Sequence, residues 1–297
     1  MTPVAAMLDD VRSGCESLGL RVEAIRPLEG GYQGGNFLAT SPDGKLVVKL
    51  RPRLQPLAVA RTASHLMCRR GLPHSVVVAG PAPTAGGWLL CTTWVPGTAI
   101  AEAAVRQWSA AQAQSFGADF GRWLRGLHSI RAGHRRWLGP AQARFVAKVR
   151  DCRDRGLIDD ATVGRLERFW RTVEPALAAA PVALIHRDLQ PGNVIVDGAA
   201  LTGVIDLEQC RLADPLYDLV KPSDRILPLH PGIAPACREA YGFDGTDPAV
   251  RRRLDVVFAL EYLSALVYFD KHGDRTEQAD RHRRLLSLLA GERVAGW

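Results

Sequence analysis

The stretch LIHRDLQPGN, residues 184 to 193, places an aspartate and an asparagine five positions apart in a segment whose Pro191 and Gly192 rule out a regular helix. The apolar run VIV (194 to 196) follows, then the turn signal Asp197-Gly198, then a second apolar run, LTGVI (201 to 205). Paired as a hairpin, the two runs set the residue before the first opposite the residue after the second, namely Asn193 and Asp206. An amide oxygen beside a carboxylate is a hard-oxygen pair suited to Mg²⁺, which takes one or two protein ligands and completes its shell with water and substrate phosphates. Asp188, on the loop leading to Asn193, then lies near the metal without having to bind it. A carboxylate so placed can orient an attacking hydroxyl and accept its proton during phosphoryl transfer.

Each signal alone is weak. Asp-Gly hairpins are common, an aspartate after a strand is usually a turn former, and a histidine such as His186 is more often packed than catalytic. Other parts of the chain make the combination informative. In LVVKL (46 to 50), Lys49 alternates with apolar neighbours, so its charge can enter a cleft while Leu46, Val48 and Leu50 pack behind the sheet. In LEGGYQGGNF (28 to 37), Gly30, Gly31, Gly34 and Gly35 let backbone amides approach phosphate oxygens. A glycine loop, a strand lysine, an aspartate loop and a metal pair, in that order, are the components of a kinase.

The elements that must position these groups divide the chain by texture. Residues 21 to 28, 36 to 40, 46 to 50, 75 to 79 and 88 to 95 are expected to be strands, around one helix from about 56 to 70. After Pro96-Gly97 the pattern turns helical: Phe116, Phe120, Trp123, Leu124 and Leu127 form one apolar stripe, and helices are also expected near 141 to 155, 159 to 179, 247 to 271 and 276 to 290. A β island, 183 to 205, carries the aspartate loop. The expectation is an α+β, two-lobed plan, with an N-terminal lobe over residues 1–95, a C-terminal catalytic and substrate-binding lobe over 96–297, and a hinge at about 93–98.

At 297 residues the chain is long enough for two lobes. The apolar stretch 256 to 269 is too short to span a bilayer and carries Glu261 in its middle, so it reads as a core helix. The N-terminus lacks the charged start of a secretory signal, and the expected location is the cytoplasm. Six cysteines without a CxxC pair read as reduced, packed thiols. The net charge of +7 includes runs at Arg251-Arg252-Arg253 and Arg281-His282-Arg283-Arg284. With no aromatic interleaving or DNA-reading motif beside them, these read as solvated helix faces, and no nucleic-acid or membrane partner is expected.

HRDLQPGNVIVD, GVIDLEQC and ADPLYDL resemble the corresponding segments of the aminoglycoside phosphotransferase and choline kinase type of small-molecule kinases, which have the protein-kinase-like fold. The resemblance runs from about Leu28 to Leu219 and more loosely to the end. It implies Asp188 as catalytic base, Asn193 and Asp206 as Mg²⁺ ligands, Lys49 on the phosphates of ATP or GTP, and the backbone of Thr93, Trp94 and Val95 on the purine edge. It further implies that His186, Asp214 and Asp218 support the catalytic loop. One departure stands out: family members pair the strand lysine with a glutamate on the N-lobe helix, yet no glutamate occurs between Glu29 and Glu102. Lys49 must then lean on Asp206 or on the nucleotide.

Only seven residues separate Asp206 from Asp214, too few for a segment that docks a polypeptide, so a small hydroxylated molecule is the expected acceptor. Glu208, Asp255, Glu261 and Tyr262 are the candidate acceptor contacts. The basic balance leans away from a polycationic aminoglycoside toward a nucleoside, macrolide or peptide antibiotic. A metabolite alcohol such as choline, homoserine or a sugar, and nucleotide binding without turnover, are the alternatives.

Overall fold

The computed structural model describes residues 3–28, 35–133 and 136–292. Its N-terminal part is one antiparallel sheet of β1 (Ala24–Pro27), β2 (Asn36–Ser41), β3 (Gly44–Arg51), β4 (Val77–Thr84) and β5 (Gly87–Thr93), in the order β1-β2-β3-β5-β4. Strand alternation decides what each face does. Phe37, Val48, Leu50, Leu89 and Cys91 face helix α1 (Pro3–Ser17), which contributes Val11 and Cys15 to that small core. On the other face Leu90 meets Leu57, Ala60, Ala63 and Met67 of α2 (Leu54–Cys68). This second core continues into the C-terminal helices, so the apolar interior is not interrupted at residue 95.

The rest of the chain contributes a short β6 (Thr98–Ala99), α3 (Glu102–Val105), α4 (Ala110–His128), α5 (Leu138–Asp154) and α6 (Asp160–Ala178). Ser109 caps α4 in a reciprocal capping box with Gln112. On α4, a Cβ at Gly117 or Gly121 would lie 2.4 Å from the carbonyl oxygen of Ile233 or Cys237, so these two glycines let helix α8 (Ile233–Tyr241) seat directly on α4. Between α6 and α8 lie β7 (Ala183–Ile185), β8 (Val194–Asp197), β9 (Ala200–Val204), β10 (Arg211–Ala213) and α7 (Val220–Arg225). Helices α9 (Pro248–His272) and α10 (Arg275–Leu289) close the fold. The stretch 256 to 269 lies within α9, whose Val256 to Leu260 are buried, and no helix among the described residues is long and apolar enough to cross a membrane.

Two features differ from the sequence-based expectation. The N-terminal part has a second helix, α1, which covers the outer face of the sheet. The β8–β9 hairpin is also out of simple register: Ile195 pairs with Gly203 but Val196 with Leu201, leaving Thr202 as an extra residue. The residue opposite Asn193 is therefore Ile205, whose amide donates to the Asn193 carbonyl at 2.9 Å, and Asp206 sits one step beyond.

A buried ion pair ties the segment after β10 to α9. Arg253 donates through Nε and Nη2 to the two carboxylate oxygens of Asp214, both at 2.7 Å, and Asp214 is fully buried. Removing one partner would strand a charge in the interior. Arg253→Ala is expected to lower the unfolding free energy by about 3–5 kcal/mol in urea titrations; a loss below about 1 kcal/mol would show that Asp214 is stabilised by other means.

Candidate active site

Asp188 follows β7 on a loop whose shape is fixed from beneath. The buried carboxylate of Asp218 accepts the amide of His186 at 2.7 Å and that of Arg187 at 2.5 Å, and His128 Nε2 lies 3.2 Å from it. His186 donates from Nε2 to the Ile205 carbonyl at 3.0 Å, which leaves Nδ1 to accept the Asp188 amide at 3.2 Å. The imidazole is thus a neutral tautomer clamped between two backbone segments. Arg187 has φ of 72° and Asp206 has φ of 66°, the two positive values among described non-glycine residues. Such backbone costs on the order of 1–3 kcal/mol per residue and persists where surrounding bonds over-determine it.

Asn193 ends a 3-10 turn, Pro191–Asn193, and turns its side-chain amide toward Asp188. Nδ2 lies 2.8 Å from the Asp188 carbonyl oxygen and 3.1 Å from its carboxylate Oδ2, so both amide hydrogens have acceptors and the carbonyl oxygen Oδ1 is the atom left for a cation. Asp206 keeps one carboxylate oxygen beyond the one it shares with Lys49. The donor set is two hard oxygens from adjoining segments, which fits Mg²⁺. Among the described residues no three His, Cys, Asp or Glu side chains gather as a metal cage.

Lys49 emerges from β3 with only 8 % of its surface exposed. Its Nζ lies 2.9 Å from Asp206 Oδ1 and 2.9 Å from Glu208 Oε1. Arg51, two residues on and therefore on the same strand face, binds Glu208 through Nε at 2.8 Å and Nη2 at 2.8 Å. Nη2 also reaches Asn36 Oδ1 at 2.8 Å. Glu208, on the turn after Asp206, thus gives Lys49 a glutamate partner, which the N-terminal helix does not contain. Its carboxylate is committed to two cations of β3. Burial would raise the Asp206 carboxyl, but the charge and hydrogen bond of Lys49 outweigh it and hold the group below the usual carboxylate range.

The other candidates divide. Gly35 forms the base of the glycine loop: its carbonyl accepts the Leu50 amide at 2.8 Å, and a Cβ there would stand 2.8 Å from the Leu50 oxygen. Gly30, Gly31 and Gly34 lie outside the described residues. Thr93 donates its amide to Val76 and Trp94 donates to Lys45, so among the three hinge residues the Val95 amide is the one without a backbone acceptor. Glu261, on α9, lies within electrostatic reach of Arg187. Tyr262 is buried, next to Phe258 and within reach of Asp224 and Arg284 instead, and Asp255 is raised by burial with Arg251 opposing.

Two participants escape a sequence reading. Arg51 carries a signal, since the i, i+2 spacing puts it on the Lys49 face. Lys221 of α7 carries none; its Nζ binds Asp188 Oδ1 directly across 33 positions.

The phosphotransferase enzyme family matches residues 24–254. None of the curated proteins compared matches the sequence. Among solved structures, the GDP complex of wild-type aminoglycoside 2'-phosphotransferase-IIIa is similar at a TM-score of 0.66 and 14 % identity, covering 98 % of this chain and 99 % of the other. The streptomycin-ATP-APH(2")-IIa ternary complex is similar at 0.68 and 14 %, covering 97 % and 99 %. A thermostable mutant of aminoglycoside phosphotransferase APH(4)-Ia, in ternary complex with AMP-PNP and hygromycin B, is similar at 0.69 and 14 %, covering 94 % and 97 %. With the strand-rich sheet, the helical C-terminal part and the aspartate loop between them, the chain is a member of the phosphotransferase enzyme family with the protein-kinase-like fold.

Proposed function

We propose that the protein transfers the γ-phosphate of ATP or GTP to a hydroxyl of a small molecule. The observation that carries this reading is the convergence of Asp188, Asn193, Asp206 and Lys49 on one place, with the Asn193 amide spent on Asp188 and its oxygen left over. Asn193 and Asp206 would hold Mg²⁺, which when bound neutralises phosphate charge. Lys49, fixed by Asp206 and Glu208, is aimed to meet nucleotide phosphates, and the Val95 amide is available to the purine edge. Lys221 on one Asp188 oxygen and Asn193 on the other set the direction of that carboxylate, which accepts the proton of the attacking hydroxyl. Positioning and charge neutralisation supply most of the rate in such a reaction.

The proposed acceptor is a hydroxylated antibiotic other than a polycationic aminoglycoside. Structural relatives carry streptomycin and hygromycin B, and the net charge of +7 weighs against a polyamine. A metabolite alcohol is the second reading, favoured by guanidinium groups gathered beside the catalytic loop. Nucleotide binding without turnover loses its motive, because Glu208 supplies the lysine partner whose absence from the helix suggested it.

ADP release measured across a panel of hydroxylated compounds, with mass-spectrometric detection of an added phosphate, tests the reading. ATP binding with no transfer to any acceptor or to water would overturn it. Asp188→Asn is expected to lower turnover by roughly two to four powers of ten while the KM for nucleotide stays within a few-fold; near wild-type turnover would remove Asp188 from the base role. Glu208→Ala removes a charge-assisted contact from Lys49 and should raise the KM for ATP by roughly tenfold with little change in acceptor KM. An unchanged nucleotide KM would mean that Asp206 alone positions the lysine.

A further inference from the structure

Among the described residues, three half-buried arginines beside the catalytic loop lack the carboxylate that Arg51, Arg253 and Arg281 have, and Arg12 and Arg165, which also lack one, rest on the backbone carbonyls of Val22 and Leu286. Arg51, Arg253 and Arg281 each lie against a carboxylate, at 2.8 Å from Glu208, 2.7 Å from Asp214 and 2.6 Å from Asp224. Arg144, Arg187 and Arg211 are half-buried as well, yet among the described residues none of them has a carboxylate within 4.0 Å. Two of them, Arg144 and Arg211, converge on one ring. The guanidinium carbon of Arg144 lies 5.1 Å from the centroid of Tyr217 and that of Arg211 lies 5.6 Å from it. Arg187 immediately precedes Asp188, and Arg211 stands opposite Ile185 in the β7–β10 ribbon, two positions before Arg187. Arg144 reaches in from α5, its Nη2 3.5 Å from Ser264 Oγ on α9. The group therefore lies between the catalytic ribbon and the α5–α9 layer, next to the proposed base.

The hydrogen-bonding inventory of this place is one-sided. Arg211 Nε and Nη2, Arg144 Nε, Trp137 Nε1 and the Tyr217 hydroxyl are buried polar atoms without a partner among the described residues. The guanidinium and indole groups can only donate, and the tyrosine hydroxyl also has a hydrogen to give. Arg187 spends Nη1 on Gln209 Oε1 at 2.9 Å, a neutral acceptor that leaves its charge uncompensated. Asp188 and Glu261 act on Arg187 only at a distance. Burial, joined by the charge of Arg144, lowers Arg187, and burial joined by the charges of Arg187 and Arg144 pushes Arg211 down to about 10. Donors without acceptors and cations without anions describe the same missing partner, an oxyanion.

We propose that Arg144, Arg187 and Arg211 form an oxyanion-binding subsite beside Asp188, and that the acceptor is a small hydroxylated molecule bearing a carboxylate or a phosphate rather than a polyamine. The subsite stands on the geometry alone; the statement about the acceptor rests on the phosphotransferase reading above. An acidic group held here would anchor the acceptor with its hydroxyl free to face Asp188, and a polycation would meet three like charges.

Calorimetric titration of the full-length protein with inorganic phosphate, at ionic strength matched with chloride, tests the subsite without requiring turnover. Wild type and Lys49→Met, which removes the nucleotide-phosphate lysine, are expected to bind phosphate equally. Arg211→Gln and Arg144→Gln should each weaken binding at least tenfold, and circular dichroism on both keeps the result readable if one fails to fold. No binding above the chloride control, or binding that survives both arginine substitutions, would overturn the subsite. Malonate in place of phosphate identifies the anion: tighter binding of malonate assigns a carboxylate, tighter binding of phosphate a phosphate monoester. ADP-release assays with a sugar acid, a sugar phosphate and an amino sugar then address the acceptor, with KM for one acidic compound expected at least tenfold below that for the amine. Anion binding with no transfer to any compound would break the phosphotransferase reading and leave the subsite standing. Preferred transfer to the amino sugar, unchanged in Arg211→Gln, would break the acceptor claim with the enzyme intact.

Discussion

Two cations on one strand cannot remain buried and charged without anions to meet them, and this constraint organises the cleft. Lys49 and Arg51 project from the same face of β3 with at most a tenth of their side chains exposed. The sheet around them offers Asn36 as a neutral acceptor, and the charges come from Asp206 and Glu208. These two acids follow β9, so neutralising the strand cations also docks the sheet onto the segment that continues into the catalytic layer. Leaving either side unpaired would carry the desolvation cost of an isolated ion. The same contact leaves Asp206, one residue past the Ile205 that bonds Asn193, with one oxygen not taken by Lys49.

Behind this pair lies a set of buried polar contacts that hold the backbone. Asp218 gathers the His186 and Arg187 amides, His186 links Ile205 to Asp188, and Asp214 locks to Arg253 of α9. Each uses a buried, fully partnered polar group to hold backbone in a place that apolar packing could not specify. That over-determination is what allows Arg187 and Asp206 to adopt left-handed backbone at the centre of the site.

The parts that could be read from sequence are those encoded locally. Alternation in LVVKL, the stripe on α4 and the Asp-Gly turn each state their own structure, so β3, α4 and the β8–β9 hairpin stand where periodicity puts them. Helix α1 carries Leu8, Val11 and Cys15 at helical spacing, but the charged residues interleaved with them mask the stripe. The Thr202 bulge is invisible because one extra residue changes register without changing composition. Most non-local pairings were out of reach for a different reason. Asp206 is the partner that the missing helix glutamate pointed to for Lys49, but the second partner, Glu208, 159 positions away, carries no such signal, and nothing in the spacing of Lys221, Arg144 or Arg211 tells which side chains they will meet.

The central claim is that Asp206 holds the divalent ion and Asp188 does not. Electron paramagnetic resonance of Mn²⁺ added with ATP separates the two directly. The account predicts a bound-ion signal in wild type that persists in Asp188→Asn and is lost in Asp206→Asn. An undiminished signal in Asp206→Asn, or its loss in Asp188→Asn alone, would contradict it.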